Sequence, residues 1–263
     1  MINHQDVNMD YPLSASVLKG KVALVTGGSR GIGEAIALGL AKAGSDVIIT
    51  SRNLPDLEKV SGDIKSLGRK SLGLSAHAGK LDDINNLVAK VKDEFGKIDI
   101  LVNNAATNPT VDPALDYSER AWDAIMNLNL KGLFFLSQAV AKIMKEKDGG
   151  SIINISSAEG ITPSALTVYG ISKAGVIYTT RALAKEWGKY NIRVNAIAPG
   201  IIRTRFAEFW WKNPEALKFA TSMTPLGRTG EPQDIVGAAV YFASSASSHV
   251  TGQVLVIDGG FSI

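Results

Sequence analysis

Tyr169 and Lys173 stand four residues apart. On a helix that spacing puts both side chains on one face. A tyrosine hydroxyl in water titrates near pH 10, too high for a good base at neutral pH. A lysine ammonium beside it is expected to stabilise the phenolate and bring that pKa down towards the working range. The pair could then give a proton to a carbonyl oxygen or take one from an alcohol. Ser156 and Ser157 precede Tyr169 by 13 and 12 residues and follow the apolar run Ser151 to Ile155. A serine hydroxyl at that place can donate a hydrogen bond to a substrate oxygen as charge develops on it.

A second element lies far upstream. Thr26-Gly27-Gly28-Ser29-Arg30-Gly31-Ile32-Gly33 follows an apolar strand and opens a helical pattern. Gly27 permits a tight turn, while Gly31 and Gly33 let backbone approach a pyrophosphate. The helix start beyond them offers free N–H donors and the positive end of a dipole. The next strand ends Thr50-Ser51-Arg52. A site for NAD usually carries an acid there, bonded to the ribose 2′-hydroxyl. Here Ser51 and Arg52 replace it, and Arg30 sits in the glycine loop. Two guanidinium groups suit a 2′-phosphate, so the cofactor is expected to be NADP. A dinucleotide cradle combined with a proton donor implies hydride transfer to or from a carbonyl carbon.

These residues must be positioned by an alternating order of elements. Strands are predicted at Val22 to Thr26, Asp46 to Ser51, Ser71 to His77, Ile100 to Asn103, Ser151 to Ile155, Arg193 to Ala198 and Val254 to Asp258. Val22-Ala23-Leu24-Val25 and Ile152-Ile153-Asn154-Ile155 are continuous rather than alternating, as strands buried on both faces are. Helical patterns run over Gly33 to Ala43, Leu81 to Phe95, twice within Ser118 to Lys147, and over Tyr169 to Tyr190. The order predicts an α/β fold, a doubly wound parallel sheet of the Rossmann kind with about seven strands and helices on both faces. Residues 1–18 read as an N-terminal extension and 19–263 as one domain. Phe206, Phe209, Trp210, Trp211 and Phe219 crowd an insertion at 206–224, expected to lid the substrate pocket.

Composition narrows the class. Hydrophobic residues make up 45% and charged residues 20%, ordinary for a soluble globular protein. The formal net charge is +3 with no dense basic block, so nucleic acid is not an expected partner. There is no cysteine, which excludes disulfides and thiolate chemistry and fits a cytoplasmic protein. Met1 to Lys19 lacks the charge and apolar pattern of a signal peptide, and no apolar run reaches the roughly 20 residues a membrane span needs. His4, His77 and His249 show no ligand spacing, so no metal is expected. Serine hydrolysis is not expected either.

Over nearly its whole length after about Leu18 the chain resembles the short-chain dehydrogenase/reductase family. The family's glycine motif matches Thr26, Gly27, Gly31 and Gly33. Its Asn-Asn-Ala-Gly motif matches Asn103-Asn104-Ala105, with Ala106 in place of the glycine. Pro199-Gly200 and Asp258-Gly259-Gly260 match two further motifs. His77-Ala78-Gly79-Lys80, where many members have Asp-Val, resembles the NADPH-dependent carbonyl and retinal reductases. The resemblance implies that Tyr169 is the general acid and base and that Lys173 also binds nicotinamide ribose. It implies that Asn129 holds a water linking the lysine to solvent. Ser157, three residues before Gly160, is favoured over Ser156 as the catalytic serine, with a one-residue deletion before Tyr169. The cofactor set would be Gly27, Ser29, Arg30, Gly31, Ile32, Gly33, Ser51, Arg52, Asn104, Ala105, Tyr169, Lys173, Pro199, Gly200, Ile202 and Thr204. The resemblance also implies a homotetramer and a small-molecule carbonyl or alcohol substrate. Two rivals stand beside this reading: a 3-oxoacyl-carrier-protein reductase, and a sensor that holds NADP without turnover.

Overall fold

The computed structural model describes residues 16–263; most of the expected 1–18 extension, and His4, lie outside the described residues. Seven strands form one sheet: β1 (Val22–Thr26), β2 (Asp46–Ser51), β3 (Ser71–Ser75), β4 (Ile100–Asn103), β5 (Gly150–Ile155), β6 (Ile192–Pro199) and β7 (Val254–Ile257). Their order across the sheet is β3-β2-β1-β4-β5-β6-β7, and every pair is parallel. The helices are α1 (Gly31–Lys42), α2 (Leu54–Ser66), α3 (Leu81–Phe95), α4 (Glu119–Met126), α5 (Leu133–Lys145), α6 (Thr167–Trp187), α7 (Glu208–Lys212), α8 (Pro214–Ser222) and α9 (Pro232–Ala243).

The strand sequences explain the layering. Every residue of β1 is buried. Ala23 and Val25 pack with Ile36 and Leu40 of α1, Leu57 of α2 and Phe242 of α9. Val22 and Leu24 face the other way, towards Val88 of α3, Leu136 of α5 and Leu183 of α6. A parallel sheet covered on both faces needs apolar side chains at successive positions, and the continuous runs in β1 and β5 supply them.

Three parts of the sequence reading change. The strand expected at Ser71 to His77 stops at Ser75, and the His77 amide donates instead to Asp83 Oδ2 in the first turn of α3 at 2.7 Å. The span Ser118 to Lys147 holds a π-helical turn, Asn127–Gly132, between α4 and α5. Helices α2 and α9 were not singled out. Only Leu57, Val60 and Ile64 mark the apolar face of α2 beside a proline start, and α9 opens on Pro232 with a capping box of Glu231 and Asp234.

A polar ladder crosses the centre of the sheet. Asn103 and Asn154 are register partners on β4 and β5. Asn103 Nδ2 donates to Asn154 Oδ1 at 2.9 Å and to Ser137 Oγ on α5 at 2.8 Å. Asn154 Nδ2 donates to Thr180 Oγ1 on α6 at 2.9 Å. All four side chains are buried, so each relies on the others for the bonds that water would otherwise provide. Asn154→Ala would strip partners from Asn103 and Thr180, and buried polar groups left unpaired cost about 1–3 kcal/mol each. A urea titration should show a lower midpoint with an unchanged slope; an unaltered midpoint would deny the ladder its structural role.

Candidate active site at the carboxyl ends of the strands

The glycine loop leaves β1 and enters α1 directly. Gly27 has φ +64°, a left-handed conformation that glycine adopts without a steric penalty. A Cβ on Gly33 would stand 2.2 Å from the Gly27 carbonyl oxygen and 2.4 Å from Asn104 Nδ2. The loop is therefore closed down on its own backbone and on the chain leaving β4. Asn104 fixes that contact, since its Nδ2 donates to Thr26 O at 2.9 Å and Gly27 O at 3.2 Å. Thr26 Oγ1 accepts from the amides of Asn104 at 2.9 Å and Ala105 at 3.0 Å. Ser29 and Ile32 are partly buried within the loop and the start of α1.

Arg30 and Arg52 are both exposed, and among the described residues neither has a carboxylate at ion-pair distance. Ser51 Oγ accepts from the Asn53 amide at 3.3 Å and shapes the turn after β2. Across the cleft, β6 ends at Pro199, with Gly200 next. Ile202 is buried and pairs with Gly230, while Thr204 lies beside Gly31. Open backbone at the start of α1 and cationic side chains at the end of β2 are what a dinucleotide's phosphates need. The residues present therefore fit a nicotinamide dinucleotide.

Tyr169 and Lys173 share the buried first turns of α6, and Ser157 closes β5 beside them. Lys173 Nζ donates to the Ile155 carbonyl at 2.7 Å and sits 5.5 Å from the centre of the Tyr169 ring. The Ser157 hydroxyl acts on Tyr169 to lower its pKa. Ser156 is committed elsewhere, its Oγ donating to the Lys173 carbonyl at 2.9 Å. The two serines thus divide: one holds the helix to the strand end and the other faces the tyrosine. Asn129 lies in the π-turn. Its Oδ1 accepts from the Thr107 amide at 2.8 Å, and its Nδ2 donates to Thr107 O at 3.0 Å and Ser172 Oγ at 3.1 Å. Ser172 Oγ donates in turn to the Tyr169 carbonyl at 2.7 Å. Asn129 therefore ties the loop after β4 to the turn that carries Tyr169.

The electrostatics overturn one expectation. Lys173 does not bring the Tyr169 pKa down. Burial raises it well above the usual tyrosine value; the Ser157 hydroxyl opposes that, and the Glu159 carboxylate adds to the rise. Burial also lowers the Lys173 pKa, to about 7. The ammonium is held on a strand carbonyl with no carboxylate beside it, so desolvation of each group outweighs their attraction. A tyrosine of this kind keeps its proton, which suits a proton donor.

The aromatic segment forms a short 3₁₀ turn, Arg205–Ala207, followed by α7 and α8. Phe206 packs on Tyr169 with ring centres 5.6 Å apart. Trp211 Nε1 donates to the Thr204 carbonyl at 2.9 Å, anchoring the segment to the loop after β6. His77 is placed away from such chemistry: its Nδ1 accepts from the Gly79 amide at 3.1 Å and shapes the turn before α3. Gly27-Gly28-Ser29-Arg30-Gly31 does carry the G-x-S-x-G spacing of a hydrolase elbow, and it does join a strand to a helix. Among the described residues no histidine serves Ser29, however: His77 is engaged in its own turn and His249 is an exposed residue before β7. Two participants escaped the sequence reading. Asn154 was read only as a strand residue, and Glu159 was not considered; an acid two residues past Ser157 was the available signal.

A family model described as enoyl-(acyl carrier protein) reductase matches residues 27–262. The 2-dehydro-3-deoxy-D-gluconate 5-dehydrogenase of Escherichia coli K12 is 43% identical over 251 residues, covering 95% of this chain and 98% of that protein. The 3-oxoacyl-[acyl-carrier-protein] reductase of Thermotoga maritima is also 43% identical, over 249 residues, covering 94% and 99%. The crystal structure of a gluconate 5-dehydrogenase from Burkholderia cenocepacia J2315, in complex with NADP and tartrate, superposes with a TM-score of 0.91 at 32% identity, covering 95% of this chain and 98% of that one. Among the described residues, no helix is long and apolar enough to cross a membrane. Relatives that match from end to end carry the names of different substrates but one kind of chemistry, and what they fix for this chain is its family: it belongs to the short-chain dehydrogenase/reductases and is an NAD(P)-dependent oxidoreductase acting on CH–OH and C=O groups.

Proposed function

We propose that the chain is an NADPH-preferring reductase of small ketones or aldehydes, with Tyr169 as general acid. The observation that carries this reading is the buried Tyr169, one helical turn from the buried Lys173, with Ser157 at the neighbouring strand end. A bound nicotinamide cofactor supplies the hydride. Ser157 orients the carbonyl oxygen towards the Tyr169 proton and stabilises charge as it builds there. Tyr169 releases its proton to that oxygen, and the Lys173 ammonium, with Asn129 bracing the turn, offsets the phenolate left behind. Lys173 is also close enough to the strand ends to hold the cofactor's ribose. In the reverse direction the same atoms take a proton from an alcohol.

NADP is favoured over NAD by Arg30 and Arg52, two exposed guanidiniums at the glycine loop and the end of β2 where an acid would repel a 2′-phosphate. The Burkholderia relative's complex with NADP agrees. Residues 206–224 form the lid of the substrate pocket within a single domain spanning 19–263, and their exposed Phe206, Phe209 and Phe219 suit an apolar or aromatic carbonyl compound. We place the enzyme in the cytoplasm as a homotetramer; exposed Trp122, Ile171 and Tyr178 on α4 and α6 offer apolar surface for the assembly. The acyl-carrier-protein reading keeps one support, the equal identity of the Thermotoga relative.

Initial rates of NADPH and NADH oxidation with aromatic ketones, diketones, retinal-like aldehydes and an acetoacetyl thioester test the whole reading. Tyr169→Phe should lose about 10²–10⁴-fold in turnover while still binding NADPH, and Ser157→Ala about 10²–10³-fold. Ser156→Ala should stay within tenfold of wild type. Equal losses at both serines would remove the assignment of Ser157.

Arg52→Asp should reverse the cofactor preference, raising KM for NADPH by about tenfold or more, because a carboxylate would then face the 2′-phosphate. An unchanged NADPH:NADH ratio would sink the argument for NADP.

A pH dependence follows from Lys173. The profile of kcat/KM for NADPH reports groups of the free enzyme. Lys173 is a cation below its pKa of about 7 and neutral above it. Cofactor capture should therefore fall as pH rises through about 7, and Lys173→Met should flatten that limb as well as lower the rate. An alkaline limb that persists in Lys173→Met would assign it to another group.

A further inference from the structure

Glu159 stands two residues past Ser157 in the 3₁₀ turn Ala158–Gly160, and its own amide donates to Ser157 Oγ at 3.2 Å. This turn is pressed on α6 at both ends. A Cβ on Gly160 would lie 2.7 Å from the Lys173 carbonyl carbon, and a Cβ on Gly170 would lie 2.9 Å from the Glu159 carbonyl oxygen. Only glycines at these two positions let the acid's backbone sit directly on the helix turn carrying Tyr169. The side chain is partly buried and pinned by a hydrogen bond from Ser164 Oγ. Among the described residues no lysine, arginine or histidine pairs with it. The turn thus carries a carboxylate with no counterion next to the helix turn of Tyr169, and its charge opposes ionisation of the Tyr169 hydroxyl. Its backbone amide meets Ser157, its carboxylate meets Ser164, and its charge acts on Tyr169.

We infer that Glu159 sets the charge specificity of the active site: it excludes substrates that carry a carboxylate beside the reacting carbonyl and favours neutral or cationic ones. The inference rests on the proposed carbonyl-reductase reading. Its basis is elementary: in a partly desolvated site like charges a few ångströms apart repel strongly, and a carboxylate oxygen still accepts hydrogen bonds from a substrate hydroxyl or ammonium. The raised pKa of Glu159, caused first by its burial, agrees with a carboxylate that has no cation to stabilise it.

The test is a matched pair of probes, benzoylformate and its methyl ester, which differ in one negative charge at the reacting end. Wild-type enzyme with NADPH should prefer the ester. Glu159→Gln retains the link to Ser164 and removes the charge; it should narrow the ester:acid ratio of kcat/KM by about tenfold or more. Ser164→Ala removes the link and keeps the charge, so the preference should survive. A ratio that Glu159→Gln leaves within twofold of wild type overturns the inference, as does an equal shift in both variants, which would mark a merely structural turn. If wild type reduces neither probe, the reductase reading fails on its own account. The charge ratio is then read from calorimetric binding of the same pair to the NADP-loaded protein, with the same expected and overturning outcomes.

Discussion

Removing the Lys173 ammonium from water constrains everything around it. The side chain is 3% exposed and, among the described residues, its hydrogen-bond partner is the carbonyl of Ile155 and no carboxylate pairs with it. A charge in that position survives only if the surrounding backbone is rigid enough to keep an oxygen aimed at it. The carbonyl belongs to the last residue of β5, a strand at the middle of a seven-stranded parallel sheet. The helix bearing the lysine is bound to the same strand end by Ser156, which accepts no substrate role because its hydroxyl is bonded to the Lys173 carbonyl. The lysine's low pKa and the tyrosine's high one are two results of one desolvation.

That rigidity is built from buried polar bonds as much as from apolar packing. The Asn103–Asn154 pair joins β4 to β5 and reaches α5 and α6 through Ser137 and Thr180. Thr26 and Asn104 do the same between β1 and the loop after β4. Asn129 extends the network from a π-turn to Thr107 and Ser172. An apolar interior could slide by part of a residue with little change in energy; directional bonds with no water to replace them allow one register. The strand ends and the first turns of α1 and α6 are thereby held in a single mutual arrangement.

Much of this was legible in the sequence, for physical reasons. β1 and β5 announced themselves because burial on two faces demands unbroken apolar runs, and their boundaries fall within a residue of the expected ones. The glycine loop and the Tyr169–Lys173 pair were readable because their spacing is itself the geometry. The limits are equally physical. Helix α2 presents a thin apolar face, and α9 starts at a proline that reads as a break. The direction of the tyrosine pKa was misjudged because spacing gives proximity but not the degree of desolvation, and burial depends on residues far along the chain. Glu159 was invisible for a similar reason. Nothing in Ser157-Ala158-Glu159-Gly160 indicates that Gly170, in the next helix, opens the space against which the turn is pressed.

The protonation state of Tyr169 follows from this electrostatic setting. A phenol with a raised pKa holds its proton firmly, which limits it as a base for alcohol oxidation but leaves it fully loaded as an acid. For transfer to a carbonyl oxygen the loss is recovered at the moment of reaction, when hydride addition turns that oxygen into a strong base. Lys173, one helical turn away, then offsets part of the phenolate's charge, while burial still leaves the phenolate less stable than it would be in water. The same desolvation that depresses the lysine's pKa makes its charge effective when it is present. Glu159 opposes phenolate formation from the other side and shifts the balance further towards the protonated form. Burial and the Glu159 carboxylate both act to keep the proton on Tyr169, the form in which the hydroxyl can serve as a donor.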